Sequence, residues 1–132
     1  MKEIGCIVVG RKTFDQYRGE LYPVKGITNI VMTTDKMRRS EENVVFADST
    51  QEAIQIAKKK GHDKILLIGG GTVNGMFLNE GLIDKIYLDL HPLILGDGIK
   101  LFENCEVDIK LKLLEVKQLK ENQVLLHYKV EK

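Results

Sequence analysis

Three short clusters hold the residues best suited to an anionic ligand. The first is Gly69-Gly70-Gly71-Thr72, set between the apolar run Ile65-Leu66-Leu67-Ile68 and a helical pattern marked by Val73, Met76 and Phe77. Glycines at such a junction accept positive φ and let an anion approach bare backbone, and the free N–H groups of the helix that follows favour phosphate. A tight turn that needs flexible residues would use the same triplet. The spacing is not GxGxxG, no acidic residue follows at the usual distance, and no lysine follows as in a Walker loop, so the two common nucleotide fingerprints do not apply. The second cluster is Gly10-Arg11-Lys12-Thr13, directly after Cys6-Ile7-Val8-Val9. Arg11 and Lys12 suit phosphate oxygens, and Thr13 offers a hydroxyl and a helix cap. Alone, these residues also describe a charged surface turn. The third is Thr33-Thr34 with Lys36 close behind, where hydroxyls beside a cation suit a ribose phosphate. Two threonines at a turn mean little by themselves. Together, the three clusters each close an apolar strand, and ligands of α/β sheets lie at the carboxyl ends of strands. The agreement points to a dinucleotide laid across the sheet edge.

The other ionisable residues are less specific. Asp89 and His91 alternate with Tyr87 along one strand face, as substrate contacts or as a solvated polar pair. Glu80 and Asp84 flank Gly81 and read as a cap or turn. His62, His91 and His127 have no ligand-like spacing, so no metal is expected. Cys6 and Cys105 form no CxxC pair, which implies two buried or inert thiols rather than a disulfide or a redox site. No Ser-His-Asp arrangement can be drawn.

The elements that must carry these residues follow from hydrophobic period. Cys6–Val9, Asn29–Thr33, Val44–Ala47 and Ile65–Ile68 are short apolar strands, the last reading as covered on both faces. Thr13 begins a short helix with Phe14 and Tyr17, ended by Gly19. Ser49 and Glu52 have capping-box spacing ahead of Ala53, Ile54 and Ala57, and Lys58-Lys59-Lys60 form the solvated last turn before Gly61. Lys85 to Leu95 alternates Ile86, Leu88 and Leu90 against Tyr87, Asp89 and His91, with a bend at Pro92. Leu111–Leu119 and Gln123–Val130 flank Lys120-Glu121-Asn122 as a hairpin. The expected fold is therefore α/β, with a mostly parallel central sheet closed by antiparallel strands.

Composition agrees. The 132 residues fit a single domain, and 43% apolar with 30% charged residues is ordinary for a folded chain with a real core. A net charge of +1, with both signs interleaved, gives no warrant for nucleic acid or an anionic membrane as partner. No apolar run reaches the ~20 residues of a membrane helix, and the N-terminal stretch is too short for a signal peptide, so a cytoplasmic setting is expected.

The same clusters resemble a known superfamily. Gly10-Arg11-Lys12-Thr13, Asn29 to Thr34, and Ile68-Gly69-Gly70-Gly71-Thr72-Val73 are similar to the three cofactor-binding segments of dihydrofolate reductase. The stretch Gly81 to Tyr87, then His91-Pro92-Leu93-Ile94-Leu95-Gly96-Asp97-Gly98 to Leu101-Phe102, looks more like the related reductase domain of riboflavin biosynthesis. The resemblance runs from about Cys6 to Val130. It implies a three-layer α/β/α fold and hydride transfer from NADPH to a small heterocyclic or ribosyl substrate, akin to 5-amino-6-(5-phosphoribosylamino)uracil. Reduction of dihydrofolate is the enzymic alternative, and a non-catalytic nucleotide-binding or assembly domain the other.

By that resemblance Gly10, Arg11, Lys12 and Thr13 face the cofactor phosphates, and Thr33 and Thr34 the adenosine ribose. Arg11 or Lys36 reads the 2′-phosphate, while Gly69, Gly70, Gly71, Thr72 and Val73 hold the pyrophosphate. Asn74 stands where folate enzymes commonly carry a tyrosine near the nicotinamide, and with Asp89 and His91 it is a substrate-side candidate. Gly70→Ala or Gly71→Val is expected to block the cofactor while sparing the fold. In the resembled families a strand, a loop and a helix precede the Gly10 motif. Residues 1–132 are accordingly expected to be an N-terminally short single domain, a poor or inactive reductase alone, that either repairs the loss by pairing as a homodimer or is a fragment of a longer product.

Overall fold

The computed structural model describes residues 4–35 and 40–132. In chain order the first half is β1 (Cys6–Gly10), α1 (Arg11–Gln16), β2 (Thr28–Met32), β3 (Val44–Ala47) and α2 (Thr50–Lys59). The second half is β4 (Leu66–Gly69), α3 (Gly71–Asn79), β5 (Lys85–Leu90), β6 (Leu111–Lys120) and β7 (Gln123–Val130).

β1 is the centre of the core. Its four apolar residues show no polar alternation and need cover on both faces, and Cys6, Ile7, Val8 and Val9 are all fully buried. It pairs in parallel with β2 on one side and β4 on the other, and β3 joins β2, giving the order β3-β2-β1-β4. Successive side chains point to opposite faces. Cys6 and Val8 pack with Ile30, Met32 and Ala47 against Ala53 and Ala57 of α2 and Val73 and Phe77 of α3. Ile7 and Val9 pack with Val31 and Val44 against Phe14 of α1, Tyr22 and Ile27. Helices on both faces make the three-layer α/β/α arrangement expected from the sequence.

Local chemistry sets most element ends. Ser49 Oγ accepts the Glu52 backbone N–H at 3.1 Å, and Lys58 and Lys59 occupy the last turn of α2, as the capping pattern predicts. α1 starts earlier than expected. β1 runs into it without a spacer, so Gly10, at φ −72 and ψ 152, takes the cap position and Thr13 lies inside the helix. β5 stops at Leu90 rather than Leu95, because His91 and Pro92 enter a turn in which the Leu93 N–H bonds to the His91 carbonyl at 2.8 Å. β4 is only half-buried although it is wholly apolar, since it is an edge strand paired on one side. That corrects the reading of a strand covered all round.

The last three strands form a separate antiparallel sheet in the order β5-β7-β6, with Asn122 at φ 65 in the β6–β7 turn. Among the described residues no helix is long and apolar enough to cross a membrane. The fully buried Asn29 is an anchor that the hydrophobic pattern does not reveal. Its Oδ1 accepts the Val24 N–H at 2.9 Å, and its Nδ2 donates to the carbonyls of Val24, Ile27 and Asn43.

Candidate cofactor site

The strand order places the three sequence clusters side by side. Gly10 ends β1, Thr33 follows β2, and Gly69 ends β4, all at the carboxyl ends of parallel strands in the order β2-β1-β4. Neighbouring strands lie about 4.8 Å apart, so the three ends span about 10 Å.

Two of the clusters touch. A Cβ on Gly10 would lie 3.1 Å from Val73 Cγ2, and 3.5 Å from both the Gly69 carbonyl oxygen and the Gly70 nitrogen. A Cβ on Gly70 would lie 3.5 Å from Thr13 Oγ1. Gly10, Thr13, Gly69, Gly70 and Val73 therefore form one patch, in which Gly10, Gly69 and Val73 are buried, Thr13 is half-buried and Gly70 is exposed at its surface. Gly69 sits at φ +122, a conformation that L side chains rarely adopt, and the Gly69–Gly70 peptide is cis. Gly70 is the N-cap of α3 with no side-chain cap, so the first N–H groups of that helix carry no side-chain acceptor from the cap. Thr72 is exposed on the first turn of α3, and Arg11 and Lys12 are exposed on α1.

The third cluster closes the other end. The Thr33 N–H bonds to the Ala47 carbonyl at 2.8 Å, and its Oγ1 accepts the Asp35 N–H at 3.1 Å. That hydroxyl shapes the turn, which leaves Thr34 as the exposed hydroxyl at the β2 end. Lys36 lies outside the described residues.

Two expected residues have other tasks. A Cβ on Gly71 would overlap the Lys100 carbonyl oxygen, and one on Gly75 would overlap the Glu103 carbonyl oxygen. The two glycines, four apart on one helix face, let the 100–103 loop lie against α3. A valine at Gly71 would strike that loop and damage the fold, contrary to the expectation that it would fill a phosphate nest and spare the fold. Asn74 is buried, with its Nδ2 donating to the Leu101 carbonyl at 3.0 Å. It ties the same loop to α3 rather than offering a free amide to a substrate. The Gly71-xxx-Gly75 spacing was the available sequence signal for this close approach.

Asp89 on β5 and His91 in the turn after it are both exposed, with His91 Nε2 3.7 Å from Asp89 Oδ2 and Gln123 Nε2 donating to Asp89 Oδ1 at 2.7 Å. Among the described residues no group of His, Cys, Asp and Glu is placed to hold a metal. Burial pushes the Cys6 thiol up to about 11. Cys105, expected to be buried or inert, is exposed, with Sγ donating to the Val107 carbonyl at 3.2 Å.

Three layers, a parallel sheet with glycine-lined strand ends and a C-terminal antiparallel hairpin define the dihydrofolate reductase-like class. Residues 1–125 match the family model of the RibD C-terminal domain, and the chain belongs to that family. The uncharacterized protein YyaP of Bacillus subtilis is 28% identical over 142 residues, covering 97% of this chain and 75% of that protein. A putative riboflavin biosynthesis protein from a Shewanella species superposes with a TM-score of 0.83 at 22% identity, covering 99% of this chain and 76% of its own. A diaminohydroxyphosphoribosylaminopyrimidine deaminase/5-amino-6-(5-phosphoribosylamino)uracil reductase from Thermotoga maritima superposes with a TM-score of 0.72 at 19% identity, over 96% of this chain and 45% of that protein. At these identities the solved structures define the fold alone.

Proposed function

We propose that this chain binds NADPH across the carboxyl ends of β2, β1 and β4 and reduces a small heterocyclic or ribosyl substrate of the riboflavin-biosynthesis type, resembling 5-amino-6-(5-phosphoribosylamino)uracil. The observation that carries the reading is the patch made by Gly10, Thr13 and Gly70. Gly70 is exposed at the start of α3 with the Thr13 hydroxyl 3.5 Å from where its Cβ would stand, so bare backbone N–H groups and a hydroxyl converge there as a phosphate requires. The residues present therefore fit the group.

When bound, NADPH supplies a hydride. The chain's own groups bind and orient it. The N–H groups of Gly70, Gly71 and Thr72 and the Thr13 hydroxyl meet pyrophosphate oxygens. Arg11 and Lys12 add positive charge beside them, and Thr34 meets the ribose end. Arg11 selects NADPH over NADH, because its guanidinium pairs with the extra phosphate. Membership of the RibD C-terminal domain family supports the substrate class.

Calorimetric titration of the full chain with NADPH and with NADH tests the cofactor, and an NADPH-oxidation screen tests the acceptor. The screen offers the phosphoribosylaminopyrimidine and dihydrofolate side by side. NADPH binding with turnover of the pyrimidine is expected. Absence of NADPH binding would overturn the reading, and turnover of dihydrofolate alone would replace the substrate.

A further inference from the structure

We propose that the polar face of the β5-β7-β6 sheet carries an oxyanion site, formed by Lys85, Lys129 and Lys112 and suited to a compact, multiply charged phosphate such as pyrophosphate or a phosphate monoester. The site stands on a different sheet from the cofactor patch and does not depend on that reading.

Strand register makes the site. Lys85 of β5 pairs with Lys129 of β7, and Lys129 pairs with Lys112 of β6. Residues directly opposite one another in an antiparallel sheet share a face with Cβ atoms about 5 Å apart, so three cationic side chains rise abreast within about 10 Å. All three are exposed. Like charges placed in this way repel and weaken a sheet. The chain does nothing to relieve them. Among the described residues the ion pairs are Arg18–Glu41, His91–Asp89 and Lys132–Asp84, and none includes a member of the row.

The ordinary uses of surface lysine account for only part of this row. Lysines on edge strands keep a sheet from pairing with other chains, which serves for Lys85 and Lys112. Lys129 lies on the central strand, between the two, where there is no edge to protect. The other lysine triplet, Lys58-Lys59-Lys60, is placed differently. It ends α2, where cations complement the helix dipole, and successive helical residues point about 100° apart. The helix lysines diverge, whereas the sheet lysines stand on one face.

The neighbouring rows set the size of the ligand. The Glu131 N–H continues the pairing with β6 by bonding to the Lys110 carbonyl at 3.0 Å, so Glu131 stands two residues beyond Lys129 on the same face. The row on the other side is Tyr87–His127–Glu115. Carboxylates on both flanks oppose a polyanion that runs along the strands, such as a nucleic-acid backbone or an anionic membrane, and favour a single phosphate or pyrophosphate group. The flanking row also holds an unmet hydrogen bond. The His127 ring stacks on Tyr87 with centroids 4.0 Å apart, and its Nε2 is the one buried side-chain nitrogen or oxygen among the described residues that has no hydrogen-bond partner. An oxyanion on Lys129, two residues along the same face, offers an acceptor to that row.

Amide chemical shifts of the isotope-labelled full chain, followed by NMR during titration with pyrophosphate, test the proposal. Lys129→Gln removes the centre of the row, and Lys59→Gln removes the same charge from α2. Lys112→Gln replaces Lys129→Gln if the latter loses its folded spectrum. Saturable shifts at Lys85, Lys112 and Lys129 are expected, with a Kd below about 1 mM at about 50 mM salt. Lys129→Gln should weaken that binding at least about tenfold, and Lys59→Gln should leave it native. Acetate at matched ionic strength should move none of these signals. Shifts at Gly70 and Thr72 report the cofactor patch separately, so their absence bears on the cofactor reading alone. Pyrophosphate shifts confined to Gly70 and Thr72 overturn the proposal, as do an equal loss from Lys59→Gln and equal shifts with acetate. Tighter binding of an oligothymidylate or of phosphatidylglycerol vesicles through Lys129 overturns it too, because the ligand would then be an extended polyanion.

Discussion

Gly75 of α3 and Glu103 of the following loop are packed backbone to backbone, so that a single methyl group on Gly75 would overlap the Glu103 carbonyl oxygen. One turn earlier Gly71 makes the same approach to Lys100, and the Glu103 N–H bonds to the Gly71 carbonyl at 3.0 Å. Side-chain amides lengthen the seam. Asn79 Nδ2 donates to the Asn104 carbonyl at 2.9 Å, and Asn79 Oδ1 accepts the Glu106 N–H at 2.8 Å. The loop is thereby fixed to the helix whose first turn carries Gly70 and Thr72, and the helix to the loop.

Gly75→Ala should therefore cost about 1–3 kcal/mol of stability, the usual range for overpacking. Backbone, unlike a side-chain tip, cannot swing away. Urea denaturation of the native and Gly75→Ala chains measures the difference. A variant as stable as the native chain would show that the loop does not rest on α3 in solution.

Gly70→Ala should behave in the opposite way. Its φ of −68 suits any residue, and its Cβ would meet only Thr13 Oγ1 at an ordinary 3.5 Å, so the fold should tolerate it. The added methyl instead occupies the cradle proposed for the pyrophosphate. Native-like denaturation with at least about a tenfold loss of NADPH affinity is expected, about 1.4 kcal/mol. Unchanged affinity in a folded variant removes the pyrophosphate from this patch.

Arg11→Ala tests selectivity. Arg11 is exposed and takes no part in the core, so its loss should leave stability alone. NADPH should weaken by about 1.5–3 kcal/mol, the worth of a hydrogen bond to a charged group, and NADH should hardly change. Equal losses for both cofactors would move the 2′-phosphate away from Arg11.

Much of this arrangement was legible in the residues. The run Cys6–Val9 announces a buried strand because nothing polar interrupts it, Val44–Ala47 announces a further strand, and Ser49 with Glu52 announces the start of α2. The juxtaposition of Gly10 with Gly69-Gly70 was legible only through the rule that ligands gather at strand ends; the contact itself depends on β1 lying next to β4. What was illegible depended on long-range partners. Asn74 reads as a site residue until Leu101 is seen 27 positions later, bonded to its amide. Composition gives no hint that β4 stands at a sheet edge. Asn29 reads as one polar residue in a strand, yet it holds three carbonyls. The side-chain direction at Gly71 follows from helix periodicity, but only with the loop in place does it matter.

Cys6 gives the chain a pH dependence of known sign. The thiol is fully buried at the start of β1, and burial raises its pKa to about 11, because the interior cannot solvate a thiolate. The unfolded chain solvates it freely and ionises at the ordinary value of 9.0. A group whose folded value is raised stabilises fully below its unfolded value and loses that contribution as pH climbs toward the folded one. Stability should thus be flat up to about pH 8.5, then fall by up to about 1.4 kcal/mol per pH unit until the folded thiol itself ionises. Tyr22 shifts in the same direction, first through burial and then through the nearby Tyr17, so it steepens the decline above pH 10. Urea denaturation at pH 8 and pH 10 of the native and Cys6→Ala chains separates the two residues. The native chain should lose about 1 kcal/mol more than the variant over that interval, while Cys105 reacts at once with a thiol reagent and Cys6 only on unfolding. Parallel losses in both chains, or rapid labelling of both thiols in the folded protein, would show that Cys6 is not sealed in the sheet.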